Sequence, residues 1–509
     1  MHCKTLLKNG NILTMNKDNQ AANWIAIDDG IIVALGNGQF TGTATTEIDL
    51  NDKTVLPGFI DSHVHGSSTG LYLGAVVLKE AKSINDVMDL VEQRCMNTDD
   101  SIILGMDLTP ENLYEKRMPY RWEIDKVSKD KKVFINHKTL HGSTCNSKAW
   151  DDIAVPKTMP GIEIVGGEYT GVLSDDISFE YAYVKLMDQI EKKVWVENCY
   201  KLAQHANAKG VTSIHSLNGA TEPKDHRDIL AILENSKKLT LSMTPYIEDF
   251  DISLAKKYGL HQAGGCLCLD GSRITYTAAL FEPYNDKPES RGSLYYNDDK
   301  IYQFISNAHR NGMQIAMHAA GERAIDQLIY TIQRVMLEQG DKGLRHRIEH
   351  FSMPTEKHIQ MASELGIVCA MQPAFPDLWD NPEDSLYERF FGIDRAKRFE
   401  PFAQIIQSGV IVCGGSDSPV TGINPLAGIH ACVNAKSELR RLSVKQALQL
   451  FTINGAYAAH EEKIRGSLET GKRADLVVLA EDPYSSTAID KIKINMTFID
   501  GKIVFFDDF

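Results

Sequence analysis

One junction recurs through the middle of this chain and restricts its fold more than any other feature: an amphipathic helical stretch, a glycine, then a short apolar strand. It occurs at residues 203–209, Gly210 and 211–215; at 305–311, Gly312 and 313–318; at 361–365, Gly366 and 367–372; and at 402–408, Gly409 and 410–414. Glycine ends helices because it accepts the left-handed conformation, and an apolar run directly after it suits a strand buried on both faces. Counting such strands predicts eight, at 59–65, 211–216, 239–247, 266–270, 313–318, 347–351, 367–372 and 410–417. Eight strands alternating with helices predict an α/β fold of the (β/α)8 TIM barrel type. Residues 66–210 separate the first two strands, far more than one helix needs. A large insertion is therefore expected at about 67–190, with short strands of its own at 102–104 and 133–135.

The two ends of the chain have a different pattern. Up to about Asn51, short runs alternate apolar and polar residues, separated by Asn9-Gly10 and Asp29-Gly30, dipeptides that favour hairpin turns because they tolerate positive φ. The last segment repeats this, with strands at 475–479, 494–499 and 502–506 and a turn at Asp500-Gly501. The expected organisation is a small β-sandwich domain built from residues 1–56 and 466–509, flanking a barrel at 57–465.

Composition narrows the partners. Hydrophobic residues make up 43% and charged residues 24% of 509, a globular balance without the bias of disorder or coiled coil. Lys plus Arg number 54 against 68 Asp plus Glu, net −14, with no basic run to follow a phosphate backbone, which argues against nucleic acid and anionic membranes. No apolar stretch is long enough to span a bilayer, and Lys4 and Lys8 stand where a signal peptide needs an apolar core. Nine scattered cysteines without a CxxC pair fit reduced thiols, so a cytoplasmic protein is expected.

In barrels of this kind, side chains at the C-terminal ends of the strands converge on one open mouth. The first strand ends in His63-Val64-His65, the fifth in His318, the sixth in Glu349-His350 and the eighth in Ser416-Asp417. Residues two apart on a strand share a face, so His63 and His65 can reach one cation, although an HxH pair alone is as readily a surface feature. A lone His318 or His350 more often sits satisfied in a core; together at strand ends they point to a metal.

The segment from Leu56-Pro57-Gly58-Phe59-Ile60-Asp61-Ser62 through His63-Val64-His65 is one part of a wider pattern. It is followed by Gly415-Ser416-Asp417-Ser418-Pro419 and Arg473-Ala474-Asp475-Leu476-Val477-Val478-Leu479, and together these resemble the amidohydrolase superfamily. Further blocks resemble its YtcJ-like branch, which includes N-substituted formamide deformylases. They are His141 with Asn146-Ser147, Asp270-Gly271-Ser272, His318-Ala319-Ala320-Gly321-Glu322, Arg347-Ile348-Glu349-His350, Met371-Gln372-Pro373 and Asn424-Pro425-Leu426.

The resemblance implies that His63 and His65 hold one metal, that His318 and His350 hold a second or help hold one, and that Asp417 contacts metal-bound water. Where the family often has a carboxylated lysine on the fourth strand, Cys266 stands, as a thiolate ligand or as a buried core residue; Cys268 shares its facing by alternation. A thiolate favours zinc, one or two ions per chain. Tyr276 stands near a usual arginine, with Arg273 earlier, and Glu322 follows His318.

The expected reaction is hydrolysis of an amide-type carbon–nitrogen bond in a small molecule by a metal-activated hydroxide, with Asp417 shuttling the proton to the departing nitrogen. Asp417 is also suited to capping a helix. His141, Asn146 and His215 are candidate substrate contacts, or satisfied structural polar groups. Residues 377–400, after the seventh strand, can build a lid or the contact of a homodimer. Two alternatives stand beside this one: a mononuclear deaminase of the same superfamily, in which Cys266 binds nothing, and a catalytically inactive scaffold.

Overall fold

The structure is a computed structural model of the chain that describes all residues except 19–20, 139–141, 175–176, 220–224, 382–383 and 508–509. Contacts divide it into two compact units. The first comprises Met1–Gly66, Leu202–Ala220 and Ile232–Phe509, and the second Ser67–Lys201 and Thr221–Ala231.

All eight expected parallel strands are present in the first unit, in two hydrogen-bonded sheets. Ser242–Ile247, Val211–Asn218 and Phe59–Val64 form one; Gln262–Cys268, Gln314–Ala319, Arg347–His350, Val368–Met371 and Ile411–Gly414 form the other. Phe59–Val64 and Val211–Asn218 are buried at every position, as strands covered on both faces must be. The continuous ring expected from the sequence is not found; the strands lie in two separate sheets. At one seam the backbone joins them. The Asp417 N–H donates to the His63 carbonyl at 2.8 Å and the His65 N–H to that of Ser418 at 2.9 Å. Gly415 permits this approach, since a Cβ there would lie 2.5 Å from His63 Cβ and 2.7 Å from its nitrogen.

The helix-glycine-strand junctions fold as their chemistry dictates. Helix Asp298–Arg310 starts at Asn297, whose side chain accepts from the Lys300 N–H, and it buries Ile301, Phe304 and Ile305. It stops at Asn311, and Gly312 turns the chain at φ 73° into the strand Gln314–Ala319. Each fully buried isoleucine stabilises this packing by about 1.5–3 kcal/mol.

The termini meet in one eight-stranded sheet. Its order runs Lys502–Phe506, Ile494–Ile499, Leu476–Leu479, Thr54–Pro57, His2–Leu13, Ala21–Asp28 and Ile31–Gly36, with Thr43–Asp49 also pairing with His2–Leu13. The hydrogen bonding therefore describes one forked sheet where a two-layer sandwich was expected. Asp29-Gly30 and Asp500-Gly501 are tight turns with positive φ at both residues. Asn9-Gly10 does not separate two strands: it lies within His2–Leu13 where the register shifts, two extra residues absorbed as a bulge.

The second unit carries its own six-stranded sheet, in the order Ile162–Val165, Glu168–Ser174, Gly142–Cys145, Lys132–His137, Ile102–Leu108 and Val76–Val77. Helix Ile84–Met96 supplies Val87 and Val91 to its core. Among the described residues, no helix is long and apolar enough to cross a membrane.

Candidate metal centre

The ends of the parallel strands bring six of the expected side chains into one cluster. His63, His65 and Cys266 offer ligand atoms all within 4.8 Å of one another; so do Cys266, His318 and His350, and so do His63, His350 and Asp417. Asp417 Oδ1 lies 3.2 Å from His63 Nε2 and 3.1 Å from His65 Nε2. Cys266 Sγ lies 3.8 Å from His318 Nδ1 and 3.7 Å from His350 Nε2.

Backbone geometry aims several of these groups. Gly264 and Gly265 both adopt positive φ, and the pairing with Gln314–Ala319 shifts register between Gly264 and Cys268. Cys266 Sγ enters the histidine cluster, whereas Cys268 Sγ turns back to the Cys266 carbonyl at 3.3 Å. His350 and Asp417 hold φ of 70° and 58°, a region costly for side chains with a Cβ and found where a site over-determines the backbone.

Each imidazole is backed by an acceptor on its far side. His63 Nδ1 lies 2.7 Å from Glu349 Oε2, and His350 Nδ1 lies 2.8 Å from Gln372 Oε1. His318 Nε2 is 3.3 Å from Asp270 Oδ1, and His65 Nδ1 is 3.7 Å from Glu248 Oε1. Asp270 is itself fixed by the N–H groups of Ala279, Ala320 and Gly321. Such partners set the tautomer and orientation of a metal-binding histidine.

The electrostatics suit a cation. Burial pushes the Asp417 carboxyl up, but His63, His65 and His350 outweigh it and hold the group well below the usual carboxylate range. Burial, with His318 beside it, keeps His350 well below its usual value and therefore neutral, as a ligand must be. Cys268 and burial push the Cys266 thiol well up, so only the field of a bound cation makes it a thiolate.

The expected substrate contacts fare differently. His141 lies outside the described residues. Asn146 is corrected to a structural group. Its Oδ1 accepts from the Ala149 and Val133 N–H groups and its Nδ2 donates to Ser128 Oγ and the Lys131 carbonyl, so its amide is spent on capping helix Ser147–Ile153. His215 is fully buried, and its Nδ1 accepts from Arg347 at 2.7 Å. It belongs to the layer behind His63, not to an open mouth.

The sequence model of the amidohydrolase family matches residues 46–505. The chain belongs to the amidohydrolase family. Within it the chain falls in the YtcJ-like branch: it is 26% identical to the putative amidohydrolase YtcJ of Bacillus subtilis over 99% of each chain, and 23% identical to the N-substituted formamide deformylase of Arthrobacter pascens over 97% of each. It is also 28% identical to protein LONG AFTER FAR-RED 3 of Arabidopsis thaliana, over 98% of this chain and 91% of that one. An uncharacterised metal-dependent hydrolase from Pyrococcus furiosus superposes with TM-score 0.79 at 25% identity, over 95% of this chain and all of that one.

Four residues of this amidohydrolase escaped the sequence analysis as parts of the site: Arg347, Glu248, Gln372 and Asp270. Glu349 was noted at a strand end without a partner. One signal was available. A strand that places Arg347 and Glu349 two apart, on one face of a buried segment, must pair those charges with each other or with something polar.

Proposed function

We propose that this amidohydrolase is a zinc-dependent hydrolase that cleaves an amide-type carbon–nitrogen bond, other than a peptide bond, in a small molecule. The observation that carries the proposal is Asp417, ionised and within 3.2 Å of two imidazole nitrogens in a cluster that also holds Cys266. His63, His65, Cys266, His318, His350 and Asp417 would hold one or two ions. The donor set fits: imidazoles with a thiol favour zinc over magnesium or manganese. The fully buried His63 Nε2 has no hydrogen bond among the described residues despite the nearby carboxylate, as befits an atom meant for a cation.

A bound zinc ion supplies a nucleophile at neutral pH by lowering the pKa of water from 15.7 to about 7, and it polarises a carbonyl oxygen. Asp417 accepts the proton released on attack and passes it to the departing nitrogen, which leaves poorly unless protonated. Cys266 beside His318 and His350 favours amide hydrolysis over the mononuclear deaminase, in which the thiol goes unused.

We further infer that the two parallel sheets are arcs of one (β/α)8 barrel, a reading supported by the backbone bonds joining residues 63–65 to 417–418. A panel of N-formyl, N-acetyl and N-acyl compounds assayed with zinc-loaded protein tests the activity. Amine release from at least one class is expected, and ammonia release from heterocyclic bases alone would overturn it in favour of the deaminase.

A further inference from the structure

Behind His63 lies a pair of buried charges that the proton transfer does not use. Arg347 and Glu349 are both fully buried on strand Arg347–His350. Arg347 spends all five of its N–H groups. Nε donates to Glu349 Oε1 at 2.9 Å. Nη2 donates to Glu349 Oε2 at 2.9 Å and to the Ser62 carbonyl at 2.8 Å. Nη1 donates to Tyr246 Oη at 2.9 Å and to His215 Nδ1 at 2.7 Å. Tyr246 in turn donates to Gln314 Oε1 at 2.6 Å. One guanidinium thereby ties together the first, second, third, fifth and sixth parallel strands.

The chemical consequence falls on the carboxylate. A guanidinium has donors only, and here it grips both oxygens of Glu349 in a fork. Gripped this way, Glu349 presents Oε2 to His63 purely as an acceptor, at 2.7 Å from Nδ1. A neutral imidazole carries one proton, so a proton on Nδ1 leaves the lone pair on Nε2, the nitrogen facing Asp417 Oδ1. A donor in place of Glu349 would reverse the tautomer and aim an N–H where a ligand lone pair is needed.

We propose that Arg347 and Glu349 are positioning residues that lock His63 in its Nδ1–H tautomer and so determine the atom it offers to a cation. The consequence for metal binding rests on the zinc-dependent function proposed above; the tautomer itself does not.

Two measurements decide it. In metal-free parent protein with 15N-labelled histidine, the His63 resonances, assigned by their loss in His63→Gln, are expected to show a protonated Nδ1 whether or not Nε2 also carries a proton toward Asp417; an unprotonated Nδ1 overturns the proposal. Zinc affinity is then measured by competition with a chromogenic chelator. Glu349→Gln should bind about 10–100-fold more weakly, and Glu349→Asp should recover part of the loss. Asp326→Asn, which removes the carboxylate 3.1 Å from buried His358 elsewhere in the fold, should bind within about twofold of the parent. A folded Glu349→Gln that binds zinc as the parent does overturns the proposal. Should that variant fail to fold, the parent's tautomer decides alone. A parent with the expected tautomer that binds no zinc sinks the metal function and leaves the positioning intact.

Discussion

Asp417 is held in a left-handed backbone conformation between two imidazoles, and its neighbours keep it ionised although it is buried. An amide at that position keeps the shape and loses the ability to take a proton. Asp417→Asn is therefore expected to retain zinc while turnover falls by about 10²–10⁴-fold, checked by metal analysis beside single-turnover kinetics. Cys266 is the complementary case, because its thiol has no reason to ionise without a cation beside it. Cys266→Ser should lower zinc content per chain at fixed free zinc, read by atomic absorption. An unchanged stoichiometry would return Cys266 to the hydrophobic cluster it shares with Leu217 and Tyr246. Sequence alone could not separate Cys266 from Cys268, because strict alternation puts both on one face. The two thiols do lie against each other, and what separates them is that Cys266 Sγ sits within reach of the imidazole ligand atoms. Asn146 was ambiguous for another reason: an asparagine suits a helix cap and a substrate equally, and only its four satisfied bonds decide the matter.

At the scale of elements, four of the eight strands were legible because a glycine, Gly210, Gly312, Gly366 or Gly409, stops the preceding helix. The partners across strands were not, since His63 and Glu349 are far apart in the chain and periodicity carries no information about which strands adjoin. Another such partnership joins helix Asp298–Arg310 to the strand Gln314–Ala319. His309 Nδ1 lies 2.8 Å from His346 Nε2, His309 Nε2 lies 2.9 Å from the Gly340 carbonyl, and His346 Nδ1 accepts from the Ile315 N–H at 3.1 Å. Burial, with His309 adding to it, pushes His346 down to about 3 from a usual 6.5. The unfolded chain therefore binds a proton here that the folded chain refuses, so this contribution is complete above pH 6.5 and is lost as pH falls toward 3. His346→Asn keeps an acceptor for Ile315 without the titration. The stability gap between parent and variant should narrow by about 1.4 kcal/mol per pH unit below 6.5, measured by urea unfolding at pH 7, 5.5 and 4.5. A gap independent of pH would mean that His346 is not neutral in the fold.

For the whole molecule, the proposed ligands come from both parallel sheets: His63 and His65 follow from the three-stranded one, Cys266, His318 and His350 from the five-stranded one. A cation bound among them would link the two sheets. Zinc loading should accordingly raise the thermal midpoint in a concentration-dependent way, by an amount equivalent to about 4 kcal/mol at a thousandfold excess over Kd. A chelator should reverse the rise, and calorimetry with and without zinc checks both. A midpoint indifferent to zinc would count against zinc binding by the folded chain.

The sheet of the termini sets a timetable for biosynthesis. Strand Thr54–Pro57 pairs on one side with His2–Leu13 and on the other with Leu476–Leu479. A ribosome working at ~5–20 residues per second needs roughly 20–80 s to travel between those two segments. Through that interval the first strands pair with one another, and only the edge of Thr54–Pro57 that Leu476–Leu479 later covers stays open to water. The nascent polypeptide thus waits with one four-residue strand edge open to mispairing until the C-terminal segment is made.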